Sequence, residues 1–327
     1  MSKKQKNKKI QNKIISIIAV LIIAVIVYIS PDFAKTIGIV KKAESNVVEN
    51  AIKYTNSAEV TKADIQKDKL NIIFFYVGQA DSSLIMAYDK TMLIDAGNNE
   101  DGKNIAKYIH ELGINKIDYV VGTHSDEDHI GGLDDIIDSF EIGKIFMSKN
   151  GIEKVNYQNV IKAANKKNIE VVKPNRGDKF TFKSNDSKTE AEFEVMLALS
   201  GEDISSNNSS IVLKLQYENT SYLFMGDAEK VAESTRTWPK VDVLKVGHHG
   251  SNTSSSDNFL KQVKPHYAVI EVGKDNKYNL PNSKAITRIE NSGATILRTD
   301  LKQKSIWMIS DGNNIEVKEL KLNLDGN

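Results

Sequence analysis

An α/β fold is predicted for this 327-residue chain by three features of its sequence. From Lys69 onward, short apolar runs alternate with polar or Gly-containing turns, and helix-like stretches interrupt them. The composition, 40% hydrophobic and 27% charged, is that of a globular chain and excludes disorder, collagen and a polytopic channel. No repeat of fixed period is visible.

The N-terminus reads as a membrane-targeting segment. Six lysines fall within Met1 to Lys13, which runs directly into Ile14 to Ile29, sixteen residues whose only polar groups are Ser16 and the Tyr28 hydroxyl. As a helix this run spans roughly 24 Å, slightly short of a ~30 Å hydrocarbon core, and snorkelling lysines with Tyr28 would help it fit. The expectation is a basic cytoplasmic tail over 1–13 and one uncleaved transmembrane helix over 14–30. A cleaved signal peptide is the competing reading, but Tyr28-Ile29-Ser30-Pro31 offers no small-x-small cleavage site. Positive charge stays cytoplasmic, so the C-terminal domain is expected outside the cell, tethered to its membrane. Residues 31–68 read as a linker, 69–319 as the folded domain and 320–327 as a tail.

Lys plus Arg is 44 against 43 Asp plus Glu, a net charge of +1. Setting aside the six N-terminal lysines leaves 38 against 43, so the rest of the chain carries −5. Such a surface has no global pull toward a phosphate backbone, and nucleic-acid binding needs a local basic path. Cysteine is absent, which excludes disulfides, thiolate metal sites and a cysteine nucleophile.

Within the domain, strands are predicted at Asn71 to Val77, Ser83 to Ala87, Thr91 to Ile94, Asp118 to Val121, Ile145 to Met147 and Glu170 to Val172. Further strands are predicted at Glu192 to Leu199, Ser209 to Leu215, Thr220 to Met225, Val241 to Val246, Tyr267 to Glu271, Thr295 to Arg298 and Ser305 to Ile309. Helices are expected at Lys103 to Leu112, Leu133 to Phe140, Tyr157 to Lys167, Ala228 to Arg236, Ser255 to Val263 and Lys284 to Glu290.

Chemistry concentrates at strand ends. The apolar run ending at Val121 gives way to Gly122-Thr123-His124-Ser125-Asp126-Glu127-Asp128-His129-Ile130-Gly131-Gly132. A loop that crowds carboxylates and imidazoles in this way repels itself unless a divalent cation neutralises it. Two more strands end in Gly226-Asp227-Ala228-Glu229 and in Gly247-His248-His249-Gly250-Ser251. Four of the six histidines therefore lie in two motifs. Asp95, after Met92-Leu93-Ile94, reads either as a carboxylate orienting a metal-bound histidine or as a turn cap.

In that order and combination, these motifs resemble the metallo-β-lactamase superfamily, and within it the extracytoplasmic hydrolase domain of the ComEC family of competence DNA-uptake proteins. Tyr76 to Ser82, Asn207-Asn208-Ser209-Ser210 and Thr299-Asp300 match as well, so the resemblance covers roughly residues 70–310. It implies an αββα sandwich with two divalent metal ions at one edge. One ion would be held by His124, Asp126 and bridging Asp227, with an Asn207 or Asn208 oxygen nearby, and the other by Asp128, His129, Asp227 and His248. Asp126 and the Asn207-Asn208 segment stand where the family usually has histidines. Harder oxygen ligands favour Mn²⁺ or Mg²⁺ over Zn²⁺. Leu280 replaces another histidine, which makes a degenerate metal- or DNA-binding module the non-enzymatic alternative.

The activity implied is hydrolysis of a phosphodiester, with DNA as the leading substrate, at the outer membrane face. Lactam, lactone or thioester hydrolysis is the second enzymatic expectation. Asp128 would orient the attacking water, and His249 would donate a proton to the leaving oxygen. Lys245 and Ser251 would hold phosphate oxygens. Tyr278, Trp238 and Lys274 to Lys277 are candidates for lining a groove.

Overall fold

Side-chain alternation along the strands builds three cores rather than one. The structure, a computed structural model, describes residues 64–183 and 190–320, so the expected membrane helix over 14–30 lies outside the described residues. Among the described residues, no helix is long and apolar enough to cross a membrane.

The first sheet contains β1 (Leu70–Phe74), β2 (Ser83–Ala87), β3 (Lys90–Ile94), β4 (Lys116–Gly122), β5 (Glu141–Met147), β6 (Val171–Val172), β14 (Ser305–Ser310) and β15 (Ile315–Leu320). Its spatial order is β15-β14-β1-β2-β3-β4-β5-β6, and β3 to β6 run parallel. The second sheet contains β7 (Lys179–Lys183), β8 (Glu190–Leu197), β9 (Val212–Tyr217), β10 (Thr220–Phe224), β11 (Val243–Lys245), β12 (Tyr267–Ile270) and β13 (Thr295–Arg298). Its order is β13-β12-β11-β10-β9-β8-β7, with β10 to β13 parallel.

Residues of one parity fill the space between the sheets: Ile72, Phe74, Ile85 and Met92 from the first meet Phe193, Leu215, Tyr222 and Phe224 from the second. Residues of the other parity, such as Ile73, Leu84, Leu93 and Val120, pack outward under α1 (Gly102–Glu111), α3 (Leu133–Ser139) and α4 (Val155–Lys166). On the opposite flank, Leu223, Leu244, Ala268 and Ile270 pack under α6 (Asp257–Val263) and α7 (Ser283–Asn291), with Ala232 of α5 (Lys230–Ser234) in the same core. Two sheets buried on both faces and covered by helices make the αββα layering the motifs implied.

The main departures from expectation are short or edge elements. β7 and β15 are unpredicted, because each is a brief alternation broken by charged residues. Ser209 lies in a single 3₁₀ turn, Asn207–Ser209, rather than in a strand. A one-turn helix, α2 (Glu127–Ile130), forms inside the acidic loop.

Parallel strands that share a direction also share a C-terminal edge, and loops leaving that edge converge. β3, β4, β10, β11 and β12 lead respectively to Asp95, His124, Asp227, His248 and Glu271. Gly132 draws the loops after β3 and β4 together: a Cβ there would lie 2.4 Å from the Ala96 carbonyl oxygen and 2.6 Å from Gly102 Cα.

Candidate metal centre

Five buried or half-buried ligand groups meet around the Asp227 carboxylate. His129 Nε2 lies 3.2 Å from Asp227 Oδ1, while His124 Nε2 is 3.9 Å and His249 Nε2 3.8 Å from Asp227 Oδ2. Asp128 Oδ2 is 3.3 Å from His249 Nε2, and Asp126 Oδ2 is 3.7 Å from His124 Nε2. Residues separated by about 120 positions in sequence thus share one coordination-sized space. Triads of them, among them His124-His129-Asp227 and Asp128-His129-His249, have all their donor atoms within 4.8 Å of one another.

These atoms are poorly satisfied by the protein itself. His124 Nε2, His129 Nε2, His249 Nε2 and Asp227 Oδ1 are buried and make no hydrogen bond. Leaving such groups unpaired costs roughly 1–3 kcal/mol each. Divalent cations, whose ligands are neutral imidazoles and carboxylates, fit this donor set.

The far nitrogens of the imidazoles are fixed by acceptors behind them. His129 Nδ1 donates to Asp95 Oδ2 at 2.8 Å. The Thr123 hydroxyl also donates to Asp95 Oδ2, at 2.7 Å, which leaves its lone pair facing His124 Nδ1 at 3.2 Å. His249 Nδ1 donates to the Glu271 carbonyl oxygen at 3.0 Å. Each ring therefore turns an Nε2 lone pair toward the centre. Asp95 is the outer carboxylate for one histidine directly and for a second through Thr123. It occupies this place with a φ of 59°, a left-handed conformation that Asp tolerates better than most residues.

Electrostatics favour added positive charge. Burial would raise the Asp227 carboxyl, but His129, His249 and His124 outweigh it and hold the group well below the usual carboxylate range. Burial would lower His129 and His249. Asp227 with Asp95 raises the first, and Asp227 with Asp81 raises the second, well above ordinary imidazole values. Carboxylates that stabilise imidazolium this strongly also stabilise a metal cation, which binds by displacing those protons.

The two adjacent histidines take different places, although both bring Nε2 to 3.8 Å from Asp227 Oδ2. His249, expected as the proton donor, is buried and sits with Asp128 and His129 in a ligand triad. His248, expected as the ligand, stands at the more exposed edge: its Nε2 is 3.8 Å from Asp227 Oδ2, and its Nδ1 lies 3.2 Å from Glu229 and 3.1 Å from the Thr253 hydroxyl. Two consecutive left-handed residues, with φ of 50° and 48°, send the rings to different sides. Strain of about 1–3 kcal/mol per such residue is typical of functional turns.

Lys245 requires a larger correction, because its side chain is 3% exposed and cannot meet a substrate phosphate. Its ammonium lies beneath the centre, 2.5 Å from Asp81 Oδ2 and 4.0 Å from Glu271 Oε2. Asn208 is also structural: its Oδ1 accepts the Glu229 and Ala232 amides at the start of α5. Asn207 lies beside the His248 ring at 3.4 Å, and Ser251 lines the cleft. Asp126 reaches the centre with Oδ2, while its Oδ1 is held by Lys154 and by the Ser206 hydroxyl at 2.6 Å. Trp238 is buried, with its indole N–H donating to the Glu233 carbonyl oxygen at 2.7 Å, so it lines no groove.

Asp81 is the residue that sequence reasoning passed over. Its backbone N–H donates to the Asp128 carbonyl oxygen at 3.0 Å, its Oδ1 is 3.1 Å from His249 Nδ1, and its Oδ2 holds Lys245. It joins two ligand-bearing loops and the strand that leads into one of them. The stretch Tyr76 to Ser82 matched the family pattern, and that was the available signal.

Removing the outer support is expected to loosen the centre without dismantling it. Asp95→Asn should lower metal affinity about 10- to 100-fold, read by competition with a chromogenic chelator, while the circular dichroism spectrum stays native. Unchanged affinity would reduce Asp95 to a turn cap.

The chain is 31% identical to ComE operon protein 3 of Bacillus subtilis over 202 residues, covering 61% of this chain and 25% of that protein. It is 27% identical to Recombination protein 2 of Haemophilus influenzae, covering 74% and 28% respectively, and 28% identical to Competence protein ComA of Neisseria gonorrhoeae, covering 72% and 32%. The chain thus spans only a quarter to a third of the length of these relatives. Residues 75–273, which contain Asp81, Asp95 and all the ligand groups above, match the profile of a single family. By that match, which spans the αββα sandwich and its candidate centre, the chain belongs to the metallo-beta-lactamase superfamily.

Proposed function

We propose that this chain is a metal-dependent phosphodiesterase acting on DNA, tethered to the outer face of the cell membrane by its N-terminal segment. The observation that carries the hydrolase reading is the set of buried, unpaired Nε2 and carboxylate atoms converging on Asp227. Members of the superfamily are generally metal-dependent hydrolases. Names drawn from competence and recombination among the relatives direct the reading toward DNA.

His124, Asp126 and Asp227 would hold one cation, and Asp128, His129, His249 and Asp227 another. Mn²⁺ or Zn²⁺ is the expected occupant, with Mg²⁺ as a third option. Bound there, divalent cations supply an activated water and offset negative charge on the phosphate. Asp128, 31% exposed at its side chain, faces the cleft and can orient the water and accept its proton. His248 stands at the mouth with Nδ1 against Glu229, placed to give a proton to the leaving oxygen.

Purified full-length protein with Mn²⁺ is expected to cleave labelled DNA and bis(p-nitrophenyl) phosphate, to lose both activities with chelator and to regain them on metal return. Full metal occupancy without cleavage of either substrate would overturn the phosphodiesterase reading, and turnover of a lactam or lactone panel would redirect it. The Lys-rich segment and the apolar run after it support the tether. Protease added to intact cells should then remove an epitope placed in the C-terminal domain, and protection of that epitope would refute the outward placement.

A further inference from the structure

The metal cleft, about 370 Å³, is lined in part by side chains that hydrolysis alone does not use. Besides the carboxylates and imidazoles it is lined by Tyr278 and Leu280. Tyr278 is 58% exposed, and of the large hydrophobic side chains exposed among the described residues it is the one at this cleft.

The loop that carries Tyr278 is held firmly. The Asn276 side-chain amide donates to the carbonyl oxygens of Gly273 at 2.9 Å and Leu280 at 2.6 Å, and its Oδ1 accepts the Tyr278 and Leu280 amides at 3.2 and 3.0 Å. The Asn282 amide donates to the Gly250 carbonyl oxygen at 2.9 Å, fastening the loop to the histidine turn. A Cβ on Gly250 would lie 2.7 Å from Pro281 Cβ, so the two segments are in close contact. Lys277 Nζ stands 5.0 Å from the centre of the Tyr278 ring.

An aromatic side chain kept in solvent on a braced loop forgoes burial and gains a fixed orientation. A cleft that holds one exposed aromatic ring together with an ionic cluster is complementary to a molecule that joins an anionic group to a flat ring by a few bonds. Building on the phosphodiesterase reading above, we propose that Tyr278 is a stacking platform for the base beside the scissile phosphodiester, which makes single-stranded nucleic acid the substrate class of this cleft. Stacking tolerates any base but needs one free of its pairing partner. Lys277 places a cation beside the same ring, suited to the neighbouring phosphate. Tyr278 would then determine specificity rather than take part in bond breaking.

The test uses the full chain and two single-stranded oligodeoxynucleotides, one carrying a fluorescent purine and one abasic at the same position. Tyr278→Ala should weaken binding of the purine strand about tenfold and abolish its fluorescence quenching, whereas Tyr278→Phe keeps both within about twofold. Binding of the abasic strand should not respond to either substitution. In cleavage assays of the purine strand, Tyr278→Ala should raise KM about tenfold with kcat nearly unchanged. Equal weakening on both strands, or none on the purine strand, overturns the platform. If wild-type protein cleaves no phosphodiester yet quenches the purine through Tyr278, the catalytic reading falls and the platform stands.

Discussion

Asp227→Ala is expected to cost both the bound metal and the hydrolytic activity. The carboxylate faces His124, His129, His248 and His249 at 3.2 to 3.9 Å, so every expected ligand set includes it. Its loss takes away the one carboxylate that all four imidazoles face and removes the group that would join two cations. Metal-assisted charge stabilisation is worth several kcal/mol, so hydrolysis of bis(p-nitrophenyl) phosphate should fall at least ~10³-fold. Elemental analysis of the purified variant should show sub-stoichiometric metal. A variant that keeps normal metal content and rate would mean that Asp227 is not the hub of the centre.

The second large effect lies below the centre rather than in it. Lys245→Met should destabilise the fold by about 3–5 kcal/mol, because it strands the Asp81 carboxylate in the interior. Burial would raise that carboxyl, and Lys245 is the first group that keeps it far below the usual range, ahead of His249 and His129. Glu271 does not relieve the strain, since burial and Asp81 already push its own carboxyl well above the ordinary value. Thermal unfolding should begin roughly 10 °C earlier for Lys245→Met. The double substitution with Asp81→Asn should recover most of that loss, because the uncompensated charge is gone. Equal melting of the single variant and the wild type would refute the buried pair. Failure of the double variant to recover stability would point to lost packing instead.

The strand ends that carry ligands were legible because each follows a run buried on both faces. Val120-Val121 before Gly122, and Leu223-Phe224 before Gly226-Asp227, announce a strand and its stopping point together. Other parts depended on long-range packing that no local pattern encodes. Asp81 meets Lys245 across 164 positions, and nothing near either residue names the other. Lys245 did carry a faint signal, since it is in phase with Val243, whose side chain enters the core between the sheets. A lysine at such a position needs a buried partner. The different placing of the His248 and His249 rings was unreadable for another reason: residue type is identical, and only the left-handed backbone separates the two rings. Trp238 misled as an aromatic near the site, where its bulk closes the outer core beside Phe259.

His124, Asp126, Asp128 and His129 descend from one sheet, whereas Asp227 and His249 descend from the other. Ions seated among them would act as rivets through both leaves of the sandwich, so prising the leaves apart must first release the ions. Heat tolerance should consequently track free metal in the surroundings, gaining about 2.7 kcal/mol when that concentration is a hundred times the dissociation constant. The sandwich would in this way be as sturdy as its mineral surroundings are rich.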